Sequence, residues 1–143
     1  MKNKNKFFKD IILRIAEQSE CRSRHVGAII TIEDRIVAEG WNSPPKKCKV
    51  ESCIKCNEKI QSGKNMEKAL CQHAEQGAIA TAAYLGISIK EGTIYCTTKP
   101  CASCATLITH SGIKFVYYIE EYKSEYTDLI FSNANIVCKK LED

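Results

Sequence analysis

The interpretation of this chain starts from two short runs, Cys71-Gln72-His73-Ala74-Glu75 and Pro100-Cys101-Ala102-Ser103-Cys104. Together they supply one imidazole and two thiols, from His73, Cys101 and Cys104, and all three are good zinc ligands. A zinc site with three protein ligands keeps its fourth position for water. A helix that begins at the proline of the second run would place both sulfurs on one face, in the positive end of the helix dipole. The two runs therefore predict a zinc site of the catalytic type.

Glu75 lies two residues after the candidate histidine ligand. A carboxylate in this position can move protons to and from a water in the fourth metal position. A lone Cys-x-x-Cys is equally typical of a structural zinc knot or a redox pair, and a lone His-x-Glu is weaker still. Their occurrence together, in this order and with a strand-like run between them, is far more specific.

The order His-x-Glu followed by Pro-Cys-x-x-Cys is the signature of the zinc deaminases. On these residues the chain resembles the cytidine/deoxycytidylate deaminase superfamily. Residues 21–28, the Gly-Trp-Asn turn at 40–42, the strand at 93–97 and the tyrosine-rich tail from residue 116 resemble the deoxycytidylate (dCMP) deaminases in particular. The resemblance covers roughly residues 20–140.

The pattern of apolar residues predicts an α/β fold. At 143 residues the chain is expected to form one domain, 1–143. Strands alternating with helices predict three layers, α/β/α, and the resemblance implies the same cytidine deaminase-like fold with a mixed five-stranded sheet. The expected helices are 6–19, 72–85, 101–111 and 122–132, and the expected strands are 26–31, 35–41, 93–97, 114–119 and 136–140.

Residues 43–71 form a long insert that is rich in cysteine. A loop of this length within a compact domain needs a staple or a function. The thiols in and beside it are Cys21, Cys48, Cys53, Cys56 and Cys71. Five thiols exceed the four that a closed structural zinc site needs. Some deoxycytidylate deaminases carry such a zinc here, so the resemblance supports a second site without choosing its four ligands, and free buried thiols are the alternative.

Four residues are candidates for substrate binding. The resemblance implies that Asn42 contacts the nucleoside, with an Asx-turn before two prolines as the alternative. The planar guanidinium of Arg24 suits a phosphate, and equally a surface salt bridge. Backbone N–H groups where the helices begin, such as that of Ala74, could orient the attacked base. Trp41 fits either the core or the wall of a pocket.

The resemblance implies hydrolytic deamination of dCMP to dUMP with one catalytic zinc. Two alternatives stay open: a deaminase acting on another cytosine, adenine or guanine nucleoside, nucleotide or tRNA, and a non-catalytic zinc-binding module. The segment 21–28, the insert and the tail favour dCMP. The resemblance also implies a homo-oligomer, with nucleotide effectors such as dCTP and dTTP.

Composition bears on the remaining classes. The net charge is +4, but the basic residues are scattered, and the one basic cluster at 2–9 has little aromatic interleaving, so nucleic acid is not an expected partner. Charges interrupt the apolar positions near the N-terminus, so no secretory signal core is expected. No apolar run approaches the length of a membrane span. Nine cysteines in a chain of this kind indicate metal binding, and a cytoplasmic location is expected.

Overall fold

The computed structural model describes residues 1–49, 51, 53–61, 64, 66–68 and 70–142, so positions 50, 52, 62, 63, 65 and 69 of the predicted insert lie outside the described residues. The helices are α1 (Lys4–Ala16), α2 (Ile54–Asn57), α3 (Ala74–Leu85), α4 (Ala102–Ser111) and α5 (Glu125–Asn133), with a short 3-10 helix at Met66–Lys68. The strands are β1 (Gly27–Ile32), β2 (Arg35–Trp41), β3 (Thr93–Thr98), β4 (Phe115–Glu120) and β5 (Val137–Lys140).

The described strands form one mixed sheet of five strands in the order β2-β1-β3-β4-β5. The β1 strand runs antiparallel to both β2 and β3, whereas β3, β4 and β5 are mutually parallel. The turn between β1 and β2 consists of Glu33 and Asp34, both with positive φ, which matches the twist of a two-residue hairpin. The predicted mixed five-stranded sheet is confirmed.

Helices cover both faces of the sheet. On one face α1 buries Phe8 and Ile12 against Ile29 and Tyr95, since its apolar residues recur at helical spacing. On the other face the buried residues of α3, α4 and α5 share one cluster with β1, β3 and β4. The predicted three-layer α/β/α arrangement is therefore confirmed.

The start of α4 differs from the prediction. Pro100 was expected just inside the helix, but Cys101 is the N-cap and the helix begins at Ala102. A proline disfavours helical backbone in the residue before it. That residue, Lys99, donates its backbone N–H to the carbonyl of Glu120 at 2.9 Å, so the strand pairing extends up to the proline.

The start of α5 also lies later than expected. The prediction placed it at residue 122, and the helix begins at Glu125. Ser124 caps it, because its hydroxyl accepts a hydrogen bond from the backbone N–H of Thr127 at 3.2 Å. Residues 121–124 consequently form a loop that leads from β4 to α5.

The ends of the insert are joined to each other. Ser43 and Gln72 form an antiparallel bridge, with N–H···O distances of 3.2 Å and 2.8 Å. The bridge stands directly before α3.

The carboxyl ends of the parallel strands β3 and β4 lie at one edge of the sheet, which is where α/β folds place their ligands. None of the helices in the described part of the chain is long and apolar enough to cross a membrane.

Gly40 is expected to be indispensable to the packing of α3 on β2. A Cβ at this position would overlap the backbone of Ala74 and Ala78. We expect Gly40→Ala to lower the free energy of unfolding by about 3 kcal/mol, because backbone must move to admit the methyl group. Urea denaturation measures this change.

Gly86→Ala is the matched control. Gly86 caps α3 with φ +69° and has open space around its Cα, so only local backbone strain is expected, about 1 kcal/mol. A Gly40→Ala protein that lost no more stability than Gly86→Ala would contradict the packing argument.

Candidate active site

Three potential metal ligands meet where α3 and α4 begin. His73 is the N-cap of α3, Cys101 is the N-cap of α4, and Cys104 lies in the first turn of α4. Nδ1 of His73 lies 3.2 Å from Sγ of Cys104 and 3.5 Å from Sγ of Cys101. Within the described ranges this is the one such group whose ligand atoms all lie within 4.8 Å of one another. One imidazole nitrogen and two sulfurs at this spacing fit a single tetrahedral zinc ion.

Local sequence explains why His73 occupies this position. Its backbone is extended, and its N–H donates to the side-chain oxygen of Gln76 at 2.7 Å, in a capping-box arrangement. The cap fixes the direction in which α3 starts. The imidazole is thereby held beside the beginning of α4.

The pKa values of Cys101 and Cys104 are shifted in opposite directions. The pKa of Cys101 falls to about 4, first because the Cys104 thiol donates a hydrogen bond to it and also because His73 lies close by. The same hydrogen bond raises the pKa of Cys104, and burial raises it further. Zinc takes both sulfurs as thiolates, so metal binding at this site would release a proton.

Glu75 is buried beside these ligands. It lies in the first turn of α3 and is 4% exposed. Burial raises its pKa, although a hydrogen bond with Cys104 and the charge of His73 oppose the rise. A carboxyl group whose pKa is raised in this way suits general acid and base catalysis near neutral pH.

A cavity opens over this group, and most of the predicted substrate contacts line it. Ala74, Arg24 and Asn42 belong to its wall together with His73 and Glu75. The structure therefore brings Glu75 and three of the four candidate substrate-binding residues into one place.

The side-chain amide of Asn42 is hydrogen-bonded to the protein backbone. Its Nδ2 donates to the carbonyl of Arg24 at 2.8 Å, and its Oδ1 accepts from the N–H of Val26 at 2.8 Å. Asn42 is buried, and Ser19 donates its hydroxyl to the Asn42 carbonyl. The residue thus fixes the segment 24–26 that forms one wall of the cavity.

The other two candidates differ in their positions. A guanidinium nitrogen of Arg24 donates to the hydroxyl of Thr98 at 3.2 Å, at the end of β3. Trp41 is half-buried at the end of β2, opposite Gly27, and does not line the cavity in the described part of the chain.

Four of the five cysteines in and beside the insert line this same cavity. They are Cys21, Cys53, Cys56 and Cys71, whereas Cys48 is exposed and stands apart. Hydrogen bonds with Cys56 and Cys71 hold the pKa of Cys53 below its usual value although burial opposes them. Burial raises the pKa of Cys71 to about 12, and the charge on Cys53 adds to the rise.

Sequence reasoning did not single out Lys99 and Tyr122, which also line the cavity. Lys99 directly follows Thr98, the last residue of β3, and Tyr122 is the second residue after the end of β4. The signal that could have found them is their place after two neighbouring parallel strands, at the edge where ligands bind.

Comparison with known proteins places the chain among zinc-dependent deaminases. The model of a family described as the cytidine and deoxycytidylate deaminase zinc-binding region matches residues 1–120. The chain is 32% identical to deoxycytidylate deaminase of Schizosaccharomyces pombe over 122 residues, which is 83% of this chain and 38% of that protein. It is 31% identical to deoxycytidylate deaminase of Enterobacteria phage T4, across 85% of this chain and 81% of the phage protein.

Among solved structures, dCMP deaminase from cyanophage S-TIM5 in complex with dCMP and dUMP superposes with a TM-score of 0.84. It shares 26% identity, and 98% of each chain is covered. The chain spans about two fifths of the length of the fungal relatives that it matches.

Removal of the Asn42 amide is expected to destabilise the cavity wall. Asn42→Ala leaves the partly buried carbonyl of Arg24 and N–H of Val26 without their partner, so we expect the free energy of unfolding to fall by about 2 kcal/mol. Asn5→Ala removes an exposed bond to the Glu142 carbonyl and should change stability by less than about 0.5 kcal/mol. Equal stabilities of the two variants in urea denaturation would contradict this role.

Proposed function

We propose that this chain, which belongs to the cytidine and deoxycytidylate deaminase family, catalyses the hydrolytic deamination of dCMP to dUMP with a zinc cofactor. The observation that carries the proposal is the buried Glu75, which lines the cavity beside the ligand group His73, Cys101 and Cys104. A purely structural zinc site has no use for a buried carboxyl group at its ligands. Glu75 therefore speaks against a non-catalytic zinc-binding module.

The chain's own residues supply the proton transfers. Zinc held by the three ligands would provide the Lewis acid that makes water nucleophilic at neutral pH. Glu75 takes a proton from the water as the water oxygen bonds to C4 of the cytosine, and delivers this proton to ring N3. It then takes the proton of the new C4 hydroxyl and passes it to the exocyclic amine, so that the C4–N bond breaks, ammonia departs and the C4 carbonyl of uracil forms. Backbone N–H groups at the start of α3, beginning with Ala74, hold the base in place.

The choice of dCMP as substrate has separate support. The cyanophage enzyme that superposes over nearly the whole chain is described with dCMP and dUMP bound. Arg24 lines the cavity and offers paired N–H donors that suit a 5′-phosphate. Asn42 holds Arg24 in place through the hydrogen bond from its amide to the Arg24 carbonyl. Deamination of another cytosine, adenine or guanine nucleoside, nucleotide or tRNA is the outcome that would replace this substrate.

Assembly and regulation form part of the same proposal. Tyr126 and Leu129 are 62% and 55% exposed and lie three residues apart on α5, so they share one face of the helix. We propose that a second copy of the chain covers this face. We expect a homo-oligomer whose activity responds to dCTP and dTTP. All nine cysteines are free thiols, which favours a reducing compartment such as the cytoplasm.

Ammonia release measures the proposed reaction directly. The zinc-loaded protein is expected to deaminate dCMP faster than CMP, deoxycytidine, cytosine or a tRNA anticodon hairpin. Glu75→Gln should lower kcat by about a thousandfold while zinc per chain stays the same, because the carboxyl carries protons and does not hold the metal. A Glu75→Gln protein with near-normal turnover would sink the mechanism, and turnover of a different substrate alone would replace dCMP.

We also propose a second, structural zinc held by Cys21, Cys53, Cys56 and Cys71. These four side chains line one cavity, and Cys53 contacts both Cys56 and Cys71, while Cys56 contacts Cys21. Four thiols suit a closed zinc site, and an ion would draw these four together, since they do not form a group within 4.8 Å in the described ranges. A metal here would join the insert to the segment that precedes β1.

Metal analysis of two serine variants tests this second site. The unaltered protein should hold about two zinc ions per chain, and Cys53→Ser about one, because a closed site needs all four ligands. Cys48→Ser is the matched control: it removes an exposed thiol of the same insert and should keep both ions. One zinc in the unaltered protein, or a loss caused by Cys48→Ser, would refute the assignment.

A further inference from the structure

Lys99 is a buried cation with two carboxylate partners. Its side chain is 8% exposed, and Nζ lies 2.8 Å from Oδ1 of Asp128 and 3.0 Å from Oε1 of Glu121. Nζ also lies 5.4 Å from the centre of the Tyr118 ring, and the hydroxyl of Tyr118 donates to the other oxygen of Glu121 at 2.8 Å. A buried ammonium is tolerated only when it is paired. The side chain of Lys99 therefore holds both carboxylates close to the end of β3.

The two carboxylates come from the first residue of the loop 121–124 and from the helix that follows this loop. Glu121 is the first residue after β4, and Asp128 lies in the first turn of α5. The ion pairs of Lys99 thus connect the two sides of the loop, and they fix where the loop leaves β4 and where α5 begins.

The loop bears directly on the cavity. Tyr122 follows Glu121 in the chain, is half-buried and lines the same cavity as Glu75. Neighbouring Cα atoms are held about 3.8 Å apart, so restraint of Glu121 restrains Tyr122. A tyrosine offers a nucleotide both an aromatic face and a hydroxyl donor.

We propose that Lys99 is a positioning residue whose ion pairs hold Tyr122 against the bound nucleotide. The identity of that nucleotide rests on the proposed function, whereas the restraint of the loop does not. Tyr122 is the residue that touches the ligand, and Lys99 acts through it.

The metal ligands keep separate supports when Lys99 is altered. The backbone N–H of Lys99 still donates to Glu120, and the hydroxyl of the buried Thr127 donates to the carbonyl of Pro100 at 2.9 Å. Glu121 and Asp128 are 51% and 65% exposed, so water can solvate them once the ammonium is gone. Loss of the charge should therefore free the loop and leave the metal site and the fold in place.

Steady-state kinetics with dCMP test the proposal. Lys99→Met should raise KM by about tenfold and change kcat by less than about twofold, since it loosens the contact that Tyr122 makes with the bound nucleotide and removes no proton carrier. Lys99→Arg keeps a cation and should restore most of the affinity. Lys123→Met is the matched control, because it removes a positive charge from an exposed side chain of the same loop, and its KM should stay within about twofold of normal.

A double-mutant cycle identifies the route. Tyr122→Ala should raise KM about as much as Lys99→Met does. Adding Lys99→Met to Tyr122→Ala should then raise KM by less than about twofold more, because both substitutions act on the same contact. Additive effects, an unchanged KM for Lys99→Met, or an equal effect of Lys123→Met would overturn the proposal.

Two measurements do not depend on turnover. Amide hydrogen exchange in residues 121–127 should be faster in Lys99→Met than in the unaltered protein, and zinc per chain should be equal in both. Unchanged exchange, or loss of zinc, would overturn the role of Lys99 even if dCMP is the substrate. A failure of the unaltered protein to deaminate dCMP would overturn the substrate, and the exchange rates would still decide whether Lys99 restrains the loop.

Discussion

The structure depends on one geometric constraint, which is that the first residues of two helices must lie within bonding distance of a single ion. His73 and Cys101 are the caps of α3 and α4, and these helices start about thirty residues apart in sequence. The constraint explains the small residues along α3. Gly40 admits the backbone of Ala74 and Ala78, so the helix can lie close on β2 and still begin at the metal site.

The arrangement that favours catalysis at this site also lowers the stability of the fold. Helix starts offer unpaired N–H groups and a positive potential, which favour thiolates and bound substrate. The close packing that gathers the ligands also removes Glu75 from water, and burial of a carboxyl group costs free energy unless its charge is compensated. Active sites commonly retain such costs because the shifted pKa is what the reaction uses.

Much of the fold and of the metal group could be predicted from sequence, because those signals are local. The spacing of Phe8, Ile12 and Ala16 marks α1, and the Cys-x-x-Cys and His-x-Glu runs mark the ligands. Lys99 and Tyr122 carry no local pattern, since their positions follow from contacts between β3 and a loop beyond β4. The sequence offers five thiols around the insert without choosing four of them, and only the folded chain separates exposed Cys48 from the four that line the cavity.

The bridge between Ser43 and Gln72 holds the two ends of the insert together. It closes the segment at its base, one residue before His73, so the path of the chain into α3 does not depend on what lies within the loop. The entropy of closing such a loop changes only slowly with its length. The length of the loop can therefore change without moving the start of α3, whereas a change at Cys53, Cys56 or Cys71 alters the wall of the cavity.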